Sequence, residues 1–134
     1  MNSMQSSLKV EIGSYNSGNI PPLLHEIRHA LRNLLENGET TTIDLRGLPM
    51  APGEQEQLLE MLGKGEVSIR LDALGKSEIF ESRFAGVWLI IHYNSNEEVM
   101  GKYIEVTRMP VILKTQTADI EESLEALQVR LEEI

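Results

Sequence analysis

The 134-residue sequence contains no cysteine. Disulfides, zinc fingers, thiolate-held iron–sulfur clusters and cysteine nucleophiles are therefore all excluded from this chain's own chemistry. Long apolar runs are missing too. The longest, Val87 to Ile91, spans 5 residues, whereas a membrane-crossing helix needs about 20. Met1 to Ile12 offers neither a basic start nor an apolar stretch, so no secretory leader is expected. The expected compartment is the cytoplasm. Basic charge is in deficit, with 12 Lys and Arg against 21 Asp and Glu and a net charge of −9. Phosphate backbones and anionic lipids are bound chiefly through Lys and Arg. Neither nucleic acid nor a membrane surface is expected as a partner. Aromatics are few, with a single tryptophan, Trp88.

What remains is the composition of one ordinary folded domain. Hydrophobic residues make up 41% and charged residues 25%, and a chain of this length buries roughly two-thirds of its unfolded surface on folding. The whole chain reads as a single domain, with residues 1–7 as a polar tail. Leu8, Val10 and Ile12 alternate with polar residues and suggest a short strand, followed by loop chemistry from Gly13 to Asn19. Pro21 and Pro22 suit the first turn of a helix, where N–H groups lack intrahelical acceptors. Leu24, Ile27, Leu31, Leu34 and Leu35 continue that helix and Asn37-Gly38 stops it. Thr41 to Leu45 reads as a strand, and Arg46 to Met50 as a turn. A second helix starts at Pro52, buries Leu58, Leu59 and Leu62, and ends at Gly63.

Four strands follow in close succession: Glu66–Leu71, Ser77–Phe84, Val87–Tyr93 and Val99–Val106. Their short connections predict an antiparallel meander. Ile120, Leu124, Leu127, Leu131 and Ile134 mark a final helix, with Thr117 as its N-cap and Pro110 as its earliest possible start. The predicted fold class is α+β, an antiparallel β-meander with helices packed on one face. The helices from Pro22 and Thr117 are expected to cover the face that holds Val67 and Ile69.

His25-Glu26-Ile27-Arg28-His29 satisfies H-E-x-x-H, in which two histidines one helical turn apart hold zinc and the glutamate activates water. A metal-dependent hydrolase is thus the competing reading. The apolar stripe of that helix, however, centres between Ile27 and Leu31. His25 and His29 lie almost opposite, beside Arg32, Asn33 and Glu36, so no metal site and no catalytic site are assigned. His92 has no G-x-S-x-G elbow to serve, and no glycine-rich phosphate loop is present. The carboxylates Glu54, Glu56, Glu60, Glu121, Glu122, Glu125, Glu132 and Glu133 fall on predicted solvent faces. No cofactor is expected.

The strand Val87–Tyr93 is apolar on both sides. Val87, Leu89, Ile91 and Tyr93 share one face, and Trp88, Ile90 and His92 the other. By contrast, Glu66, Ser68 and Arg70 give Glu66–Leu71 a polar face. An apolar cluster on a partly polar sheet is either covered from within or used as an interface, and tryptophan is a typical interface anchor. Trp88, Ile90 and His92, on the sheet face away from the helices, are therefore the candidate partner-binding residues, with Tyr93 beside them at the strand end as a fourth.

The stretch from Gly65 to Ile120 resembles the C-terminal domain of the HupH/HyaF hydrogenase expression proteins. Gly65-Glu66-Val67-Ser68-Ile69, Gly86-Val87-Trp88, His92-Tyr93-Asn94-Ser95 and Tyr103-Ile104-Glu105-Val106 carry the likeness. The upstream LLHEIRHALRNLL and TTIDLRGLP fit it as well. Leu89 stands where many members carry a second tryptophan, and some members are longer. The resemblance implies a non-enzymatic accessory or chaperone role in maturing nickel–iron hydrogenases. The implied partner is an immature hydrogenase subunit or another maturation factor. A chain without thiolates leaves the metal ligands to that partner. Self-association as a homodimer is a further possible use of the same domain.

Overall fold

Helix α1, Ile20–Asn37, opens with Pro21 and Pro22 in its first turn. Leu23, Ile27, Ala30 and Leu34 follow at spacings of 3 and 4 and form its buried stripe. Gly38 ends it in the left-handed region at φ 71°, donating its N–H to the Leu34 carbonyl, a conformation that costs glycine no Cβ clash. The computed structural model describes residues 18–73 and 75–134. The strand expected around Leu8 to Ile12 lies outside the described residues.

Strand β1, Thr41–Asp44, passes into a 3₁₀ turn, Leu45–Gly47, in which the Asp44 carboxylate accepts from the Arg46 N–H. Helix α2 runs from Glu54 to Leu62 and buries Leu58 and Leu62. Strands β2 (Ser68–Ala73), β3 (Gly75–Glu81), β4 (Val87–Tyr93) and β5 (Val99–Val106) then form the expected antiparallel meander. β1 returns to pair antiparallel with β5, so the five strands lie in the order β1-β5-β4-β3-β2. A second 3₁₀ turn, Val111–Leu113, precedes helix α3, Thr117–Glu132. Gln116, not Thr117, occupies the N-cap position of α3.

The sheet separates two apolar clusters. On one side α1 and α2 lay Leu23, Ile27, Ala30, Leu34, Leu58 and Leu62 against Val87, Leu89, Ile104 and Val106. On the other, Ile79, Trp88 and Ile90 are closed over by Ile69, Tyr103 and Leu113. Two expectations are corrected here. Ile69 pairs with Ile79 and belongs to the side away from α1 and α2, and Val67 is exposed just before β2. α3 covers no face of the sheet, for none of its residues is buried. Alternation shows which residues share a face, but not which face a distant helix will meet. β2 is an edge strand whose polar residues Ser68, Arg70 and Asp72 extend beyond the reach of the helices.

Candidate interaction surface

Burial decides the H-E-x-x-H match first. His25, Glu26 and His29 are all exposed on α1, on the side opposite Leu23, Ile27 and Ala30. Among the described residues no group of three or more His, Asp or Glu side chains converges on one point. The histidine pair faces solvent without a cavity or a third ligand, so the geometry gives the hydrolase reading no site.

β4 is the centre of the candidate surface because it lies between β3 and β5, in the middle of the sheet. Its two apolar faces are both covered. Val87 and Leu89 meet the helices. Trp88 is 6% exposed and Ile90 5% exposed, and the indole Nε1–H donates to the Thr107 carbonyl at 3.0 Å. The expectation that these two side chains stand open to solvent is therefore corrected. The 3₁₀ turn after β5 brings Leu113 onto them, and nothing in the strand pattern announces that turn.

His92 lies half-buried at the edge of this cluster. Its Nδ1 is 2.6 Å from Ser77 Oγ on the neighbouring strand. Its ring meets Tyr103 edge-on, with centroids 5.9 Å apart. A hydrolytic serine–histidine pair needs a carboxylate to orient the imidazole. The nearby Glu78 instead accepts from the Tyr93 hydroxyl at 2.7 Å. Glu78, in register with Ile91, and Tyr93, two residues along from Ile91, sit on the helix side of the sheet, so Tyr93 is separated by the sheet from Trp88, Ile90 and His92. The bond to Glu78, followed by burial and the nearby negative charge, raises the Tyr93 phenol above its ordinary value of 10.0.

An open cleft of about 300 Å³ lies on the Trp88 side. Ile90 and His92 form its floor with Tyr103, while Thr42, Glu105, Val111 and Ile112 form its walls. Val111 is 71% exposed and Ile112 40% exposed. These two, together with Thr42 and Glu105, were not visible as site residues in the sequence. Thr42 reaches the site only because β1 pairs with β5, Thr42 opposite Glu105. The available signal for Val111 and Ile112 was an apolar pair following Pro110 in a stretch too short for a strand.

One predicted surface carboxylate proves buried. Glu54, at the first position of α2, is 1% exposed, and its Oε1 accepts from the Ala51 N–H at 2.7 Å. Its side chain folds back over the turn that precedes the helix, which spacing alone does not distinguish from a solvent-facing acid.

Comparison with known proteins places the chain in a family. Residues 18–134 match the family described as the HupH hydrogenase expression protein, C-terminal conserved region. The chain belongs to that family. It is 29% identical over 118 residues to the hydrogenase expression/formation protein HoxQ of Azotobacter vinelandii, covering 87% of this chain and 41% of that protein. It is 32% identical over 97 residues to the hydrogenase expression/formation protein HupH of Rhodobacter capsulatus, covering 72% of this chain and 35% of that one. The chain thus spans well under half the length of these relatives. A solved structure, the hydrogenase expression protein HupH from Thiobacillus denitrificans ATCC 25259, superposes with a TM-score of 0.85 at 44% identity. That match covers 90% of this chain and 100% of the other. Among the described residues no helix is long and apolar enough to cross a membrane.

Proposed function

We propose that this HupH-family domain acts in the maturation of nickel–iron hydrogenase by binding an immature hydrogenase subunit or another maturation factor, without catalysis of its own. Family membership supports the pathway, because the relatives are named for hydrogenase expression and formation. The observation that carries the binding mode is the cleft beside His92. Its floor is a packed apolar cluster and its outer wall is the pair of exposed side chains Val111 and Ile112. Apolar side chains held exposed in a short turn that Leu113 anchors to the sheet suit partner contact, since little freedom is lost when they are covered.

In this reading Trp88 and Ile90 serve the surface from beneath by fixing its floor, and His92 offers the polar contact at its edge. Tyr93, on the opposite face, stands outside the contact. The negative charge of the domain favours a partner segment that is basic around an apolar centre. The test is affinity capture of the tagged chain from cells assembling a nickel–iron hydrogenase, with the bound proteins identified by mass spectrometry. The expected result is that a hydrogenase subunit or maturation factor is retained and is lost with Ile112→Asp. Equal retention by both forms would place the contact elsewhere.

A further inference from the structure

Helix α3 is amphipathic, yet it leaves its whole apolar stripe in solvent. Ile120, Leu124, Leu127 and Leu131 follow one another at spacings of 4, 3 and 4, with Ile134 a further 3 residues on. Leu124 is 71% exposed and Leu127 62% exposed. No residue of the helix is buried, and among the described residues no other element packs closely along it. Helices of this length are marginal in water by themselves and draw most of their stability from a packed apolar face. The α1 stripe meets the sheet and the α2 stripe meets the same core; the α3 stripe has no such counterpart among the described residues.

We infer that α3 pairs with α3 of a second copy of this chain, antiparallel about a two-fold axis. The alternating spacings of 4 and 3, sustained from Ile120 to Ile134, give α3 the stripe that a coiled-coil seam needs. Charge selects the occupant. Asp119, Glu122, Glu125, Glu132 and Glu133 fall at heptad positions away from the seam, so a second acidic chain can approach without carboxylates meeting at the contact. The positions flanking the seam are Glu121, Ser123, Gln128 and Arg130. With Leu124 set against Leu127 of the second copy, Ile120 meets Leu131. Glu121 then flanks Gln128 and Ser123 flanks Arg130, so no like charges are opposed. A basic partner segment would find only Glu121 along the same flanks. Antiparallel alignment also sets the two helix dipoles head to tail, and a two-fold contact closes on itself without leaving a free seam.

Sedimentation equilibrium of the full chain tests this. The expected mass is twice the 15.1 kDa of one chain, falling to that of a single chain when Leu124→Glu and Leu127→Glu are combined. The thermal melting of the sheet should be unchanged, because α3 buries none of its residues against the sheet. Orientation is read by oxidation, since the natural chain has no cysteine. A mixture of Leu124→Cys and Leu127→Cys chains should form the mixed disulfide in preference to either homodisulfide. A wild-type monomer at high micromolar concentration, or a dimer that survives the double glutamate substitution, would overturn the pairing. Homodisulfides of Leu127→Cys in preference to the mixed species would overturn the antiparallel arrangement.

Discussion

Trp88 packs with Ile79 and Ile90 on the side of the sheet away from α1. Its strand position marks it as a large apolar group on the face away from α1, and that placement holds. The Nε1–H bond to Thr107 and the cover from Leu113 make it core. Truncating a buried tryptophan typically costs about 3–5 kcal/mol, and here it also leaves the Thr107 carbonyl without its donor. Trp88→Ala is therefore expected to lower the urea midpoint by a large fraction of the domain's stability, which denaturation followed by circular dichroism will measure. An unchanged midpoint would show that the indole is not needed for folding. Glu54 is the inverse case. Its acid side chain suggests solvent, yet it is enclosed where Ala51, in the turn ahead of the helix, offers it a backbone N–H. Neither result follows from residue type alone, since each depends on a segment distant in space or on a local back-turn.

At the scale of elements, β4 and β5 were legible to the residue, because alternation and short connections fix them together. β3 was placed late at both ends. Its pairing with β2 begins at Gly75 and Lys76, and Ser82 to Phe84 turn instead of pairing. The final helix was legible as a helix but not as an unpacked one, since periodicity reports a stripe and not its occupant. β3 and β4 are tied on the helix side by the Tyr93 hydroxyl donating to Glu78. The raised phenol keeps its proton in the folded state over a pH range in which the unfolded chain has already released it. Folded protein then binds more protons than unfolded protein, so stability falls as pH rises past the ordinary tyrosine value. Spectrophotometric titration should show one phenol ionising above 10.0, absent in Tyr93→Phe and returned toward the ordinary value in Glu78→Gln. A Tyr93 that ionises normally in the wild type would remove this tie.

The molecule as a whole is a sheet with one face sealed by α1 and α2 and the other presenting a cleft walled in part by exposed apolar side chains. The seal explains why the H-E-x-x-H pattern points outward: the apolar stripe of α1 is committed to the core. The fold class was readable in the sequence because the domain obeys simple periodicities. The surface was only half readable, because its walls come from β1 and from the 3₁₀ turn after Pro110, which reach the site through tertiary pairing. The most direct test of the central claim is site-specific photo-crosslinking in cells assembling a nickel–iron hydrogenase. A crosslinking amino acid would be placed at Ile112 and, as a control, at exposed Glu36 on α1. A crosslinked hydrogenase subunit or maturation factor is expected from position 112 and none from position 36. No such adduct at position 112, or equal yields from both positions, would contradict it.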